Sequence, residues 1–508
     1  MKRIVIELVL ISVLGSAARA VERPNVLFLA VDDLRDWVGF LDGYGGEVYT
    51  PNLDRLAARG TAFCNAHTAS PVCCPSRAAT MSGKLPSTTG VYNNQQWWKP
   101  HLPDLVTIPS HFKANGYHVV GSGKLFHHTA GNNPPGIWDV YFRHPFDDNG
   151  WIRSAPLYPF TKTVPAPEGF PFSGIKMYSG EVDWGVLEKP EAEYDDARCV
   201  SFAVEVLKEE QEKPLFLACG LFHPHLPWYT PQGDADLYSA AGVVLPEVPV
   251  DDLDDVPEAG RKLALRKAGD LAKLRETGKW RTAVRQYLAS ITFADRQIGR
   301  LLDALDAGPY ADDTVIVLWS DHGWHLGEKG HWHKRTLWEV GTRVPVIVVA
   351  PGKGEAGQRC ERPVSTVDLF PTLIELCGLP GVEGLDGESL VGLLEEPSAA
   401  SGPAVTVDEN RHVAVRDDRY RYIRYRDGGE ELYDHGSDPN EWRNLAGEVG
   451  LAAVRERLAR VVPGSFAAGA RSKKGYEFDP HAYRWRVKET GEVIEGGECE
   501  LVLRPVGL

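Results

Sequence analysis

Short apolar runs along the chain alternate with segments whose apolar residues recur at helical spacing. This alternation predicts a mostly parallel β-sheet with helices packed on its faces. We expect strands at 25–31, 118–120, 214–219, 314–319 and 344–350. Helices are expected at 52–59, 77–81 and 285–305, the last with Leu288, Ile291, Ile298 and Leu302 near one face.

Two other regions have a different pattern. Residues 127–193 are rich in Pro, Gly and aromatic residues and show no clear period, and so long a loop in a compact domain commonly serves a site. Near 395–404 the sequence turns to Pro, Ser, Ala and Gly, which indicates a boundary. Beyond it, 413–426 and 430–433 predict antiparallel strands and 451–462 a helix. We therefore expect a large α/β domain at 21–398 and a smaller α+β subdomain, with a small antiparallel sheet and a helix, at 399–508.

The first twenty residues have the pattern of a signal peptide. Lys2 and Arg3 precede an apolar run, and Ala18-Arg19-Ala20 offers a small-x-small cleavage site. The run is too short to span a bilayer, so we expect an exported protein without stable membrane insertion. The eight cysteines are irregularly spaced, which is not typical of a disulfide scaffold. Because no Asn-x-Ser/Thr sequon occurs, a bacterial periplasmic or extracellular location is favoured.

The composition excludes one class of partner. Of the 508 residues, 43% are hydrophobic and 25% charged, as in a globular protein, and the formal net charge is −15. A nucleic-acid-binding protein would need a basic surface, so nucleic acid is not an expected partner. An anionic substrate would need a local cluster of cations.

Polar side chains follow two of the predicted strands. Asp32 and Asp33 come directly after 25–31, and Asp321 and His322 follow 314–319. Ligands gather at the carboxyl ends of strands in open α/β sheets, and a hard cation takes several oxygen ligands. A divalent-cation site is therefore predicted. The alternatives are turn or capping roles for the acids, and a zinc site built from His322, His325, His331 and His333.

The segment Cys73-Cys74-Pro75-Ser76-Arg77-Ala78-Ala79-Thr80-Met81-Ser82-Gly83 points to chemistry most directly. Pro75 suits a first helical turn and Gly83 a helix end. Cys73 would then lie at a helix N-terminus, where the dipole and free amides favour an anion, with Arg77 one turn further on. The alternatives are a buried structural cysteine and a redox pair.

This segment resembles the signature of the type I sulfatases, Cys-x-Pro-Ser-Arg followed by x-x-x-Met/Leu-Ser/Thr-Gly. Other segments are similar to the same family: 28–33, Gly123-Lys124-Leu125-Phe126-His127, His223-Pro224-His225-Leu226-Pro227, Ser320-Asp321-His322-Gly323 with Lys334, 366–373 and 431–441. The resemblance covers roughly residues 22–450. The Asp-His pair and the Gly-Lys-x-Phe-His element are most similar to the iduronate sulfatase branch.

The resemblance implies an alkaline-phosphatase-like fold and hydrolysis of sulfate esters. Cys73 would be oxidised to formylglycine by a maturation enzyme, with Cys74 in the variable position. One hydroxyl of the hydrated aldehyde would attack sulfur, and the other would release sulfate by re-forming the aldehyde. The resemblance also implies a single bound Ca²⁺, with the ligands Asp32, Asp33, Cys73, Asp321 and His322.

The resemblance also implies roles for the remaining polar groups. Arg77 would orient the modified residue, while Lys124, Lys334 and His225 would contact sulfate oxygens. Either His225 or Lys334 would protonate the leaving alcohol, and His127 would assist the second hydroxyl.

The expected substrate is an O-sulfated saccharide of an acidic, glycosaminoglycan-like polysaccharide. The segment 127–193 would wall in a pocket that takes a chain end, with His128 and Arg153 as candidates for binding a substrate carboxylate. Trp97 and Trp98 are predicted either to stack on a sugar or to pack inside the protein. Two alternatives remain for the whole chain: a phosphodiesterase or phosphonate hydrolase of the same superfamily, and a catalytically silent sulfosugar-binding protein.

Overall fold

The computed structural model describes residues 23–142, 169–179 and 182–502. The predicted signal peptide 1–20, Arg153 and part of the 127–193 segment lie outside the described residues. The strands are β1 Asn25–Val31, β2 Thr61–His67, β3 His118–Gly123, β4 Val140–Phe142, β5 Trp184–Val186, β6 Leu215–Leu221, β7 Trp228–Thr230, β8 Thr314–Ser320, β9 His325–Leu326, β10 Trp332–His333, β11 Val346–Val349, β12 Gln358–Ser365, β13 Ala404–Val407, β14 Val413–Arg416, β15 Tyr420–Arg424, β16 Glu430–Asp434, β17 Tyr476–Asp479, β18 Arg484–Val487, β19 Val493–Glu495 and β20 Glu500–Val502.

Helices of very different lengths connect these strands. They are α1 Pro51–Ala57, α2 Cys73–Ser82, α3 Pro86–Thr89, α4 Trp98–His101, α5 Ile108–Ala114, α6 Asp195–Lys208, α7 Gln232–Asp236, α8 Glu258–Leu265, α9 Ala268–Glu276, α10 Trp280–Ala307, α11 Glu339–Thr342, α12 Leu369–Leu376, α13 Val391–Glu395 and α14 Ala452–Ala459. Within the described residues, no helix is long and apolar enough to cross a membrane.

Within the described part of the chain, the largest sheet has nine strands in the order β12-β2-β11-β8-β1-β6-β3-β4-β20. Eight of them run in one direction, and β11 alone is antiparallel to its neighbours β2 and β8. The five predicted strands correspond to β1, β3, β6, β8 and β11. The central strands β1, β6 and β8 are apolar except for Asn25, Thr314 and Ser320 at strand ends, because both faces of the sheet are covered.

The hydrophobic core lies on both faces of this sheet. On one face Leu27 and Leu29 of β1 pack with the buried side of α10, and on the other Val26 and Phe28 pack with α2 and α12. The helix α10 is longer than the predicted 285–305, because its first turns also pack, through Ala283 and Val284. Its apolar stripe is what fixes it on the sheet.

The C-terminal region contains the predicted small antiparallel sheet, β13-β14-β15-β16, against which α14 packs. Strands β14 and β15 divide the predicted 413–426 segment because the Asp417 carboxylate accepts from the backbone N–H groups of Arg419 and Tyr420 and closes a turn. A three-stranded antiparallel sheet, β17-β18-β19, follows. The last strand, β20, pairs with β4 and so returns to the large sheet. The division at residue 398 stays a prediction.

Candidate active site

The carboxyl ends of β1, β6 and β8 lie side by side. Val31 pairs with Leu221 on one side and with Ser320 on the other, so the three strands end at the same level. The residues that follow them, Asp32-Asp33 and Asp321-His322, therefore meet at one edge of the sheet. The backbone N–H of Asp33 donates to Asp321 Oδ1 at 3.0 Å, which fixes the two loops against each other.

Cys73 is the first residue of α2 and is completely buried. Its Sγ lies 3.2 Å from Lys334 Nζ, 3.3 Å from His322 Nε2 and 4.0 Å from Lys124 Nζ. Burial raises the pKa of the Cys73 thiol, an effect that the two lysines oppose. The expected position at a helix N-terminus is therefore what the structure has, and two lysines lie beside the thiol.

Cys74 occupies a different environment. Its Sγ contacts the carbonyl of Gln96 at 3.5 Å and Asn132 Oδ1 at 3.6 Å, and burial raises its pKa to about 12. A thiol with that pKa is a poor nucleophile at neutral pH. The two adjacent cysteines are both free, so they do not form a redox disulfide.

Arg77 lies one turn into α2 and joins three loops. Its guanidinium donates to Asp321 Oδ2 at 2.9 Å, to Asp32 Oδ1 at 3.0 Å, and to the backbone carbonyls of Lys124 and Leu125. The charges of these two carboxylates keep the pKa of Arg77 raised despite its burial. Arg77 thus orients both acids from inside the protein, at the back of the site.

A cluster of ligand atoms suited to a cation lies in front of Cys73. Atoms of Asp33, Cys73, Asp321 and His322 all lie within 4.8 Å of one another, and Asp32, Asp33 and His225 form a second, overlapping group. The buried Asp33 Oδ2 has no hydrogen-bond partner in the described chain. Burial, together with the charge of Asp321, raises the pKa of Asp32 to about 7. An orphaned carboxylate oxygen and a raised acid pKa both fit a bound hard cation.

Cationic and imidazole groups also contact the acids of this cluster. Lys334 Nζ lies 2.6 Å from Asp33 Oδ1, and Lys124 Nζ pairs with Asp32. His225 Nε2 lies 3.8 Å from Asp33 Oδ2. Burial lowers the pKa of both His225 and His127 well below the usual value, so both imidazoles are neutral.

The remaining histidines of the zinc alternative do not reach the cluster. His325 Nε2 is 2.6 Å from Thr336 Oγ1, His331 Nδ1 is 2.7 Å from the carbonyl of Ala264, and His333 Nε2 is 3.0 Å from Asp270 Oδ2. Each ring is thus engaged elsewhere, and of this group His322 alone belongs to the ligand set. A zinc site made of these four histidines is wrong for the described structure.

Trp97 and Trp98 pack inside the protein, which decides between their two predicted roles. Trp97 lies against Tyr476, Phe478 and Trp485 of the β17-β18 region, and its Nε1 donates to the carbonyl of Ala130 at 2.9 Å. Trp98 stacks on Phe126 inside the core. Neither ring is available to a sugar.

The sequence reasoning missed one cation near the site. Lys473, which precedes β17, donates from Nζ to Thr129 Oγ1 at 2.7 Å, and burial lowers its pKa to about 8. Its charge acts on both His127 and His128, whose rings lie 4.5 Å apart. No local pattern could have indicated Lys473, because it lies far along the chain from Thr129.

Two sequence comparisons decide the family. Residues 24–379 match the family model Sulfatase, and 327–463 match the model N-sulphoglucosamine sulphohydrolase, C-terminal. A protein named "Sulfatase" from Formosa agariphila is 37% identical over 477 residues, which cover 91% of this chain and 90% of the relative. The chain belongs to the sulfatase family. It is therefore a sulfuric ester hydrolase.

A second relative agrees with that assignment, and two solved structures share the fold. Human iduronate 2-sulfatase is 33% identical over 457 residues, covering 84% of this chain and 79% of the relative. A solved structure in complex with D-glucosamine-2-N,6-O-disulfate superposes with a TM-score of 0.66 at 22% identity and covers 87% of this chain and 97% of that one. Phosphonate monoester hydrolase of Agrobacterium radiobacter superposes with a TM-score of 0.68 at 24% identity, covering 86% and 94%. These neighbours confirm the alkaline-phosphatase-like fold.

Proposed function

We propose that this sulfatase removes O-sulfate from a sulfated saccharide, using a formylglycine made from Cys73 and one bound Ca²⁺. The observation that supports the proposal best is the surroundings of Cys73. It begins a helix, Lys334 and His322 contact its Sγ, and Asp33 and Asp321 lie in the same cluster, with Asp321 held by Arg77. A structural cysteine would not need so many charged neighbours.

The residues in front of Cys73 fit a hard divalent cation. The ligands would be Asp32, Asp33, Asp321 and His322 together with the residue at position 73. Several carboxylate oxygens and one imidazole favour Ca²⁺ over a soft metal. When bound, such a cation polarises a sulfate oxygen and favours ionisation of the nucleophile.

The formylglycine hydrate supplies a nucleophilic hydroxyl and a second hydroxyl that allows sulfate to be released. The overall reaction consumes one water and yields the free alcohol, sulfate and a proton. Arg77 holds Asp32 and Asp321 in place, since its four hydrogen bonds leave it little freedom. Lys124 and Lys334 would neutralise charge on the sulfate oxygens.

The structure favours Lys334 over His225 as the group that protonates the leaving alcohol. His225 Nδ1 faces the carbonyl of Leu226 at 2.6 Å, so the proton of the neutral ring lies on Nδ1 and Nε2 carries a lone pair. Lys334 is cationic, because the charge of Asp33 outweighs the effect of burial and raises its pKa. His225 Nε2 would then accept a hydrogen bond from the substrate, and the neutral His127 would take the proton of the second hydroxyl.

A sulfated saccharide is supported by the names of several relatives. Iduronate 2-sulfatase and an ulvan-active sulfatase are among them, although a choline-sulfatase is as well. Lys473 and His128, beside His127, add positive and polar groups that a sugar carboxylate could contact. We propose that a chain end enters the pocket, and that the protein is exported to the bacterial periplasm or beyond, as the first twenty residues indicate.

The test of the mechanism combines peptide mass analysis with a desulfation screen. The protein is produced with a formylglycine-generating enzyme, and peptide 65–77 is expected to carry an aldehyde at Cys73 and a thiol at Cys74. Cys73→Ala should abolish sulfate release from defined sulfated saccharides, and the matched Cys74→Ala variant should retain it. Full activity with both thiols intact would refute the mechanism. Binding of sulfated sugars without turnover would support the silent binding protein, and faster turnover of phosphonate monoesters would support the phosphonate hydrolase.

The end-on pocket has its own test. Sulfate release is followed on a long sulfated polymer and on short oligosaccharides of the same repeat. A chain-end enzyme should release sulfate from the polymer in proportion to its number of ends. Rapid loss of sulfate from internal units would contradict the pocket, and equal turnover of simple aryl sulfates would contradict sugar specificity.

A further inference from the structure

Lys334 lies between two residues with strained backbones. His333 has a φ of 98° and Arg335 a φ of 78°, a region that residues other than glycine rarely adopt. Such conformations persist only where the surrounding structure holds them, and they occur most often at functional sites. The side chain between them is the one that reaches both Cys73 Sγ and Asp33 Oδ1.

On one side, a helix outside the site holds His333. Its Nε2 lies 3.0 Å from Asp270 Oδ2 in α9, and the ring packs edge-on against Trp324. Hydrogen bonding to the imidazole contributes to lowering the pKa of Asp270 to about 2, so the acceptor is a carboxylate. The same carboxylate accepts from the backbone N–H groups of Tyr178 and Ser179 and from Ser179 Oγ.

On the other side, the C-terminal region holds Arg335. The Arg335 guanidinium donates to Glu409 Oε2 at 2.9 Å, and Glu409 also pairs with Arg266 at the end of α8. The backbone N–H of Arg335 donates to the carbonyl of Pro71, two residues before Cys73. The strained triplet is thereby tied to the segment that leads into the nucleophile helix.

We propose that Asp270 and Glu409 are positioning residues for Lys334. They hold residues 333–335 in the strained conformation that presents Lys334 Nζ to Cys73, and neither contacts the reacting atoms. Without these two anchors the triplet would relax toward negative φ and carry the lysine side chain away from Cys73 and Asp33. The catalytic consequence rests on the proposed function, because it assumes that Lys334 acts on the sulfate ester.

The test measures the position of Lys334 independently of activity. The full chain is labelled with acetic anhydride, and the reactivity of Lys334 is read by peptide mass spectrometry against exposed Lys262 and buried Lys124 as internal references. Asp270→Ala and Glu409→Ala remove the anchors. Asp270→Asn and Glu409→Gln keep an acceptor oxygen and should be milder, which guards against a simple folding failure.

Two matched controls leave the anchors in place. Ser179→Ala removes another hydrogen bond to Asp270, and Arg266→Ala removes the other partner of Glu409. We expect Lys334 to be labelled several-fold faster in both alanine variants of the anchors and at the wild-type rate in both controls. The anchor variants should also lose about tenfold to a hundredfold in kcat per titrated aldehyde with little change in KM.

The outcomes separate the two proposals. Unchanged labelling of Lys334 in the anchor variants would overturn the positioning role, whatever happens to kcat. If Lys334 is labelled faster in the anchor variants but the wild-type enzyme hydrolyses no sulfate ester, the positioning role is supported and the proposed function fails. If the labelling of Lys334 changes equally in the anchor variants and in the controls, the structure has loosened in general, and the positioning role is also overturned.

Discussion

Replacing Arg77 with lysine keeps a positive charge beside Asp32 and Asp321. It removes the planar guanidinium, which donates hydrogen bonds to several groups of the site at once. In the wild type the guanidinium serves four acceptors: Asp32 Oδ1, Asp321 Oδ2 and the carbonyls of Lys124 and Leu125. The lysine ammonium is a single point donor that cannot reach acceptors on opposite sides of the guanidinium. We expect about two of the four acceptors to lose their donor.

The magnitude follows from the burial of these groups. Arg77 and both carboxylates are buried, so each acceptor left without a donor costs about 1–3 kcal/mol. Two such acceptors destabilise the fold by about 4 kcal/mol. With an unfolding entropy of about 2.1 cal/mol/K per residue, the 508 residues give about 1 kcal/mol/K, so Tm should fall by about 4 °C.

The assay is thermal unfolding of Arg77→Lys beside Arg55→Lys. Arg55 pairs with Asp303 at 2.7 Å on the surface, so its replacement should change stability by less than about 0.5 kcal/mol. Arg77→Lys should in addition lower kcat by about 10²-fold, because the residues at the site shift. Equal Tm changes in the two variants would refute the reasoning, since they would mean that the buried hydrogen bonds of Arg77 contribute no more than a surface pair.

Three further predictions concern the metal, pH and packing. Asp32→Asn and Asp321→Asn should each reduce turnover steeply with the fold retained, and chelation should abolish activity that Ca²⁺ restores; restoration by Zn²⁺ alone would favour a phosphatase-like enzyme. Burial lowers the pKa of His333 to about 4, so below pH 6.5 the unfolded chain binds a proton that the folded protein does not, and stability falls as pH falls from 6.5 to 4. The free energy of unfolding, measured with denaturant, should fall between pH 7 and pH 4.5 by up to about 3 kcal/mol less in His333→Asn than in the wild type. Trp97→Ala should lower the free energy of unfolding by about 3–5 kcal/mol and leave saccharide KM unchanged, since the ring is buried.

Local patterns predicted the centre of the fold and which acids meet at the candidate site. Strands β1, β6 and β8 each contain a continuous apolar run, which predicts a buried strand. Asp32 and Asp321 follow two of these strands directly, which predicts that the two acids meet at one edge of the sheet. Strand β2 was not predicted, because His67 and Asn65 interrupt its apolar residues and are paired with each other inside the protein. Strand β12 contains Pro363 at a register shift and likewise lacks a regular period.

Long-range contacts explain what the sequence could not predict. The antiparallel direction of β11 depends on its partners β2 and β8 and not on its own residues. Lys473 and Asp270 reach the surroundings of the site from segments with no distinctive motif. The chemistry of Trp97 suits both packing in a core and stacking on a sugar. Its contact with the distant β17-β18 region, which buries the ring, could not be predicted from local sequence.

The balance of charge at Cys73 explains how an acidic protein binds an anion. Within the described site three buried acids are matched by three cations, two of them buried and Lys334 partly exposed, and the nearby imidazoles are neutral; the groups are Asp32, Asp33, Asp321, Arg77, Lys124, Lys334, His127, His225 and His322. Without a metal this arrangement has no net positive charge to oppose the −15 of the whole chain. A divalent cation held by the same acids would make the pocket positive by about two charges in a low-dielectric region. Binding of the anion, and not only turnover, should therefore require the cation. Inorganic sulfate should raise Tm in the presence of Ca²⁺ and fail to do so in a chelator, and an equal Tm increase in both conditions would show that the lysines alone bind the anion.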